Sequence, residues 1–173
     1  MQQEKSACFT GQRPESFCSD SREFKKLEPK LKMLLKRETL QAVQQGYTTF
    51  YCGMARGVDI LAGETVLSLK ADFPEIQLIC VIPFPRQPYY WADSWISRYN
   101  YLYDHSKRVL ISPAYSPDCY HRRNRYMVDH SDLVIAVMAQ ETERGGTAST
   151  IRYARKKNKP VISLLYNNEI FIR

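Results

Sequence analysis

The sequence predicts an α/β sandwich built on a mainly parallel sheet. Two observations carry that expectation. Short apolar runs rich in β-formers alternate with segments of helical periodicity, and the connections between them are short. Two of the runs end in glycine-rich turns that open a helix, Gly53-Met54-Ala55-Arg56-Gly57-Val58-Asp59 and Gly145-Gly146-Thr147.

Taken in order, Ala7-Cys8-Phe9-Thr10 is the first strand, halted by Gly11, and Gln12-Arg13-Pro14 is a stiff turn. Phe24, Leu27, Leu31, Leu34, Leu35 and Ala42 recur at helical spacing as far as Gly46, with Pro29 expected at a kink or in the first turn. Tyr47 to Cys52 is the second strand. Val58, Leu61, Ala62, Thr65, Val66 and Leu69 form an amphipathic stripe. Ile76 to Ile82 is an almost unbroken apolar run, as in a strand covered on both faces. Pro83, Pro85 and Pro88 take the chain out through a rigid loop, and Trp91, Trp95, Tyr99 and Leu102 mark a further helix. Val109-Leu110-Ile111 is a short strand, and a polar loop and helix fill Ser112 to His130. Leu133 to Met138 is a central strand, Thr147 to Lys157 a helix, and Val161 to Leu165 the last strand that the pattern marks clearly. With no repeat, low-complexity stretch or linker, residues 1–173 are expected to form one domain.

The composition is that of a water-soluble chain with a real core: 173 residues, 44% hydrophobic and 25% charged. Leu133 to Ala139, among the longest apolar runs, is far too short for a bilayer, and Met1 to Lys5 is too polar for a signal peptide. A cytoplasmic, non-membrane protein is expected. Cys8, Cys18, Cys52, Cys80 and Cys119 include no Cys-x-x-Cys pair and are expected to be free thiols. Cys119-Tyr120-His121 and His130-Ser131-Asp132 lack metal-site spacing, so no metal is expected. The net charge of +7 favours anionic partners, although Lys25, Lys26, Lys30, Lys32, Lys36 and Arg37 share one helix and read as a solvated face.

A strand, a glycine turn and a helix N-terminus together present free N–H groups at the positive end of a helix dipole, a ready-made anion site. Ligands of open α/β sheets sit beyond the carboxyl ends of the strands, and Gly11, Gly53, Pro83 and Gly145 each lie just past such an end. The candidate ligand-binding residues are therefore Thr10, Gly11, Gln12 and Arg13, then Gly53, Met54, Arg56, Gly57 and Asp59, then Gly145, Gly146 and Thr147. Gly53 and Gly57 let a ligand approach closely, and Arg56 offers a guanidinium fork. Asp59 serves either as a helix cap or as an acceptor for a ribose or amine, and Thr147 as a cap or an oxygen ligand. Arg122 and Arg125 share a helix face and are candidates for the same anion. Tyr89 and Tyr90 are the better candidates for stacking on a base, because Trp91 and Trp95 follow the core stripe. His105, His121 and His130 form no triad pattern, and no nucleophile elbow, Walker A loop or metalloprotease motif is present.

Phe9-Thr10-Gly11-Gln12-Arg13-Pro14, the Gly53–Asp59 loop and Arg123-Asn124-Arg125 together resemble the YpsA-like group of the SLOG superfamily over nearly the whole chain. Cys52 to Asp59 and Gly146-Thr147-Ala148-Ser149-Thr150, with Ala154 and Pro160 beyond, are also similar to the matching loops of the DNA-processing protein DprA. The resemblance implies a Rossmann-like three-layer sandwich and a pocket for a nucleotide or nucleotide-derived ligand. Its phosphate or diphosphate is held by the glycine loops in a sensor or sequestering module without efficient catalysis. No cofactor is required under that reading, and a homodimer is compatible with it. Two alternatives stay open: single-stranded nucleic-acid binding of DprA type, and N-glycosidic hydrolysis of a nucleotide of LOG type. The LOG phosphoribohydrolase signature is Pro-Gly-Gly-x-Gly-Thr-x-x-Glu, and aligning its Gly-Thr with Gly146-Thr147 sets Thr150 in place of the glutamate. Glu64 and Glu143 are the displaced substitutes.

Overall fold

The computed structural model describes residues 4–167 and 170–172. The chain runs β1 (Lys5–Gly11), α1 (Pro14–Phe17), α2 (Ser21–Gln44), β2 (Tyr47–Cys52), α3 (Val58–Leu69), β3 (Gln77–Ile82), α4 (Asp93–Asp104), β4 (Lys107–Leu110), α5 (Cys119–Asp129), β5 (Leu133–Met138), α6 (Gly146–Lys156), β6 (Val161–Asn167) and β7 (Ile170–Ile172). The sheet order is β4-β3-β2-β1-β5-β6-β7. β1 to β6 are mutually parallel, and β7 returns antiparallel to β6.

Strand alternation sorts the layers. Ala7 and Phe9 of β1, with Leu133, Ile135 and Val137 of β5, join the core made with α2, α3 and α4. Their neighbours Cys8 and Val134 pack with Met127, Val128 and Ala154 of α5 and α6. Helices thus cover both faces, α2, α3 and α4 with the one-turn α1 on one side and α5 and α6 on the other. Every residue of β5 is buried, as expected for a strand at the centre of a doubly covered parallel sheet. Phe9 and Phe50 stack at 6.0 Å beneath α2 and α3; each buried phenylalanine contributes roughly 1.5–3 kcal/mol.

Helix α2 starts where Asp20 accepts from the N–H groups of Arg22 and Glu23 at 2.8 and 2.9 Å. Its beginning at Ser21 excludes one of the two placements expected for Pro29: the proline lies well inside the helix, not in its first turn. Four smaller corrections concern short elements. Pro14 opens a one-turn helix, because its fixed φ suits a first helical position. Strand β4 is displaced toward the amino end and stops at Leu110, and β3 begins at Gln77. Trp91 precedes α4 and packs edge-on against Tyr99 at 5.7 Å. All five cysteines are free. Among the described residues no helix is long and apolar enough to cross a membrane.

Candidate functional site

The sheet order reverses at β1. From β1 the chain proceeds outward through β2, β3 and β4, then crosses to β5 on the other flank. Such a reversal opens a crevice at the carboxyl ends of the two strands that diverge there, here β1 and β5. Gln12 spans it: its N–H donates to the Val137 carbonyl at 3.2 Å, and its Oε1 accepts from the Ala139 N–H at 2.7 Å. The Gln12 side chain is thereby a strut between the two flanks.

Close packing fuses the first two loops into one surface. A side chain on Gly11 would overlap that of Val58, the first residue of α3. Gly57 has φ +90°, a conformation that L side chains rarely adopt, and a Cβ there would lie 2.8 Å from the Gln12 carbonyl oxygen. Thr10 is buried. Met54 also has a left-handed backbone, φ 62°, but its side chain is fully buried in the main core. It offers a ligand only its backbone.

Beneath this surface lies a charged pair. Asp59 and Arg123 are 4% and 6% exposed. The Arg123 Nη1 stands 3.8 Å from Asp59 Oδ2 and donates to the Gly53 carbonyl, while Asp59 Oδ2 accepts from the Ala55 N–H at 3.3 Å. Arg123 therefore reaches from α5, on one face of the sheet, over its carboxyl edge to the loop that leads into α3 on the other. Gly53 must be glycine for this to happen: a Cβ would fall 2.7 Å from Arg123 Cζ and 2.8 Å from Asp59 Oδ2. Burial pushes the Asp59 carboxyl above its usual range, with Arg123, the Ala55 N–H and Arg13 pulling the other way. Asp59 is not a helix cap, because α3 is preceded by Gly57 and has no side-chain cap. It braces the loop from inside. Arg123 is the residue that sequence reasoning missed. A buried carboxylate inside a glycine loop requires a cation partner, and that requirement was the available signal.

Helices α3 and α6 both begin at this carboxyl edge, since each follows a strand of the parallel set. Neither N-terminus has a side-chain cap. At α6 the N-cap is Gly145, with φ +93°, and both Gly145 and Gly146 are exposed. Their amides are presented outward with the positive end of the helix dipole behind them. Thr147 is buried and does not cap the helix.

The remaining arginines differ in their commitments. Arg56 is held by Glu15, Nη1 to Oε1 at 2.6 Å. Arg122 donates to the Ile111 carbonyl at 3.2 Å, away from Arg125. Arg13 is exposed and has no carboxylate partner among the described residues. Arg125 lies over the Tyr153 ring at 5.5 Å and lines a groove between α5 and α6 of about 240 Å³, with His121, Asn124, Arg152 and Lys156 also on its walls. Asn124 links that groove to the crevice: it accepts from Arg123 Nε at 2.7 Å, and its Nδ2 would lie 3.8 Å from a Cβ on Gly146. Tyr89 and Tyr90 are exposed and pack edge-on against each other at 4.8 Å, with Arg86 over Tyr89.

A family model described as the YspA SLOG family matches residues 7–168. The chain belongs to that family. A search of curated proteins gives no match. Membership points to nucleotide-related binding, or LOG- or DprA-like function, as the class in which this SLOG protein falls.

A threonine occupies the position of the LOG glutamate in this family member. Thr150 is buried, and its hydroxyl donates to the Gly146 carbonyl at 2.8 Å within α6. Glu64 faces α2 and α4: it takes a two-pronged contact from Arg98 at 2.6 and 2.9 Å and another from Lys32 at 2.8 Å. Burial alone would raise the Glu64 carboxyl, and these cations outweigh it and hold it below its usual value. Glu143 is exposed in the connection before α6.

Proposed function

We propose that the crevice binds a nucleotide or nucleotide-derived ligand by its phosphate or diphosphate. The protein then acts in the cytoplasm as a sensor or sequestering module, without efficient catalysis. One observation carries this reading: two helix N-termini without side-chain caps lie at the same edge of the sheet, beside its topological switch point, and the Gly145-Gly146 turn of the second is exposed. The amides of Gly145, Gly146 and Thr147 hold the phosphate. Arg13 is free to neutralise it, and Arg56 joins by exchanging Glu15 for the ligand. Asp59 and Arg123 keep the Gly53–Gly57 loop in shape from below.

Weak catalysis follows from the carboxylates. Cleaving an N-glycosidic bond needs one beside the developing charge on the sugar; the signature position holds a back-bonded threonine, Glu64 is clamped by arginine, and Glu143 stands exposed in the connection before α6. Calorimetric titration with adenine nucleotides, ADP-ribose and cyclic nucleotides tests the proposal. Saturable binding is expected for at least one of them, with no base released on incubation. Absence of binding across the whole panel overturns it.

The groove between α5 and α6 favours a second reading, single-stranded nucleic-acid binding. Arg125, Arg152 and Lys156 line it with no carboxylate partner among the described residues. Oligonucleotide affinity that falls steeply with salt supports it. Binding confined to mononucleotides removes it.

A further inference from the structure

We infer that Phe84, Tyr115 and Tyr120 form the platform on which the planar base of the ligand rests, so that this site selects nucleotides over bare sugar phosphates. The inference rests on the nucleotide reading given above and adds to it which part of the ligand is recognised, and by what.

The three rings come from two connections and one helix that the parallel sheet delivers to the same edge. Phe84 follows β3, Tyr115 lies in the connection after β4, and Tyr120 is in the first turn of α5. Phe84 meets both tyrosines nearly at right angles, Tyr115 at 5.4 Å and Tyr120 at 5.9 Å. Two arginines tie this cluster to the phosphate side. Arg13 Cζ lies 5.9 Å from the centre of the Tyr120 ring, and Arg123 Cζ lies 5.7 Å from it. The Arg13 backbone in turn touches Gly57, where an added Cβ would lie 3.2 Å from Arg13 Cα. Glycine loop, arginine and aromatic cluster are therefore contiguous.

Exposure decides which ring is the working one. Phe84 and Tyr120 are partly covered, whereas Tyr115 is 64% exposed although Phe84 fixes its position. An aromatic ring held in place yet left open to water beside a cationic loop is what a stacked base requires. Tyr89 and Tyr90 lack that setting: among the described residues no ring contact joins them to Phe84, Tyr115 or Tyr120, and the arginine over Tyr89 is Arg86. The loop of Phe84 also carries Gln87, which is 5% exposed with neither amide atom hydrogen-bonded among the described residues.

Calorimetry with ADP-ribose, AMP and ribose 5-phosphate on the wild-type chain and on Tyr115→Ala and Tyr115→Phe tests the inference. Base-bearing ligands are expected to bind tighter than ribose 5-phosphate, and Tyr115→Ala to weaken them by about 5- to 150-fold. Ribose 5-phosphate affinity stays the same in that variant, and Tyr115→Phe, which keeps the ring, restores the preference. The exposed position of Tyr115 makes misfolding of either variant unexpected, and circular dichroism checks it. If ribose 5-phosphate binds as tightly as AMP, or Tyr115→Ala keeps the full preference, the platform is wrong while the phosphate site stands. If none of the three binds the wild type, the platform falls, and the phosphate site falls with it when the wider panel of adenine and cyclic nucleotides also fails to bind.

Discussion

Replacing Arg123 by methionine is the perturbation that separates a braced loop from a merely crowded one. The substitution keeps an unbranched aliphatic stem and deletes the guanidinium. It leaves the Asp59 carboxylate 4% exposed and without its cation, and the Gly53 carbonyl without its donor. Removing one partner of a buried ion pair destabilises by about 3–5 kcal/mol, because the surviving charge stays desolvated. For a domain of this size each kcal/mol shifts Tm by about 2–4 °C, so the expected fall is roughly 6–20 °C. Adding Asp59→Asn removes the stranded charge, and the double variant should recover about 1–3 kcal/mol relative to Arg123→Met alone. The pH dependence carries the sign of the argument. Asp59 has a raised native value, so its favourable contribution is full below the ordinary carboxylate range and is lost as pH rises through that native value. Protonated Asp59 needs no cation. The gap between wild type and Arg123→Met should therefore be smallest in acid and widen as pH rises. Urea unfolding across pH, with calorimetric Tm values, measures all of this. A loss below about 1 kcal/mol, or a double variant no more stable than Arg123→Met, would refute the reasoning.

Three further outcomes are expected. Gly53→Ala drives a Cβ against Arg123 and Asp59 and should destabilise by about 1–3 kcal/mol in urea unfolding, with Arg123 displaced in its crystal structure. Glu64 is held below its ordinary value of 4.5, so its stabilising contribution is present above that pH and lost as pH falls through the native value. The stability gap between wild type and Glu64→Gln should accordingly close on acidification, as read from urea midpoints at several pH values. Arg13→Ala removes an exposed cation without touching the core, and it should weaken phosphate-bearing ligands by about 10- to 150-fold in calorimetry while Tm barely moves.

The layered architecture was legible because each element carried its own local signal. Leu133 to Met138 reads as a central strand from its unbroken apolar run, and it is buried throughout. The glycine turns announced where helices start, and α3 and α6 begin at Val58 and Gly146. What the sequence hid were contacts between segments far apart in the chain. Helical spacing grouped Arg122 with Arg125, whereas the rotation of α5 against the sheet sends the intervening Arg123 inward. Asp59 read as a cap or as an acceptor for a ribose or amine because it sits one residue into α3, and its burial beside Arg123 makes it a brace of the loop. The aromatic cluster joins residues 84, 115 and 120 through connections after two different strands, and no periodicity can report that. Arg56 looked free, and its pairing with Glu15 depends on the one-turn helix α1.

Amide chemical shifts during titration with ADP-ribose test the central claim most directly, since they locate a bound anion along the sheet. The amides of Gly11, Gln12, Gly145, Gly146 and Thr147 should shift together, while those of Gln45 and Gly46, at the amino end of β2, stay still. Shifts confined to that amino-terminal edge, or a spectrum unmoved by ligand, would contradict the assignment of the crevice as the binding site.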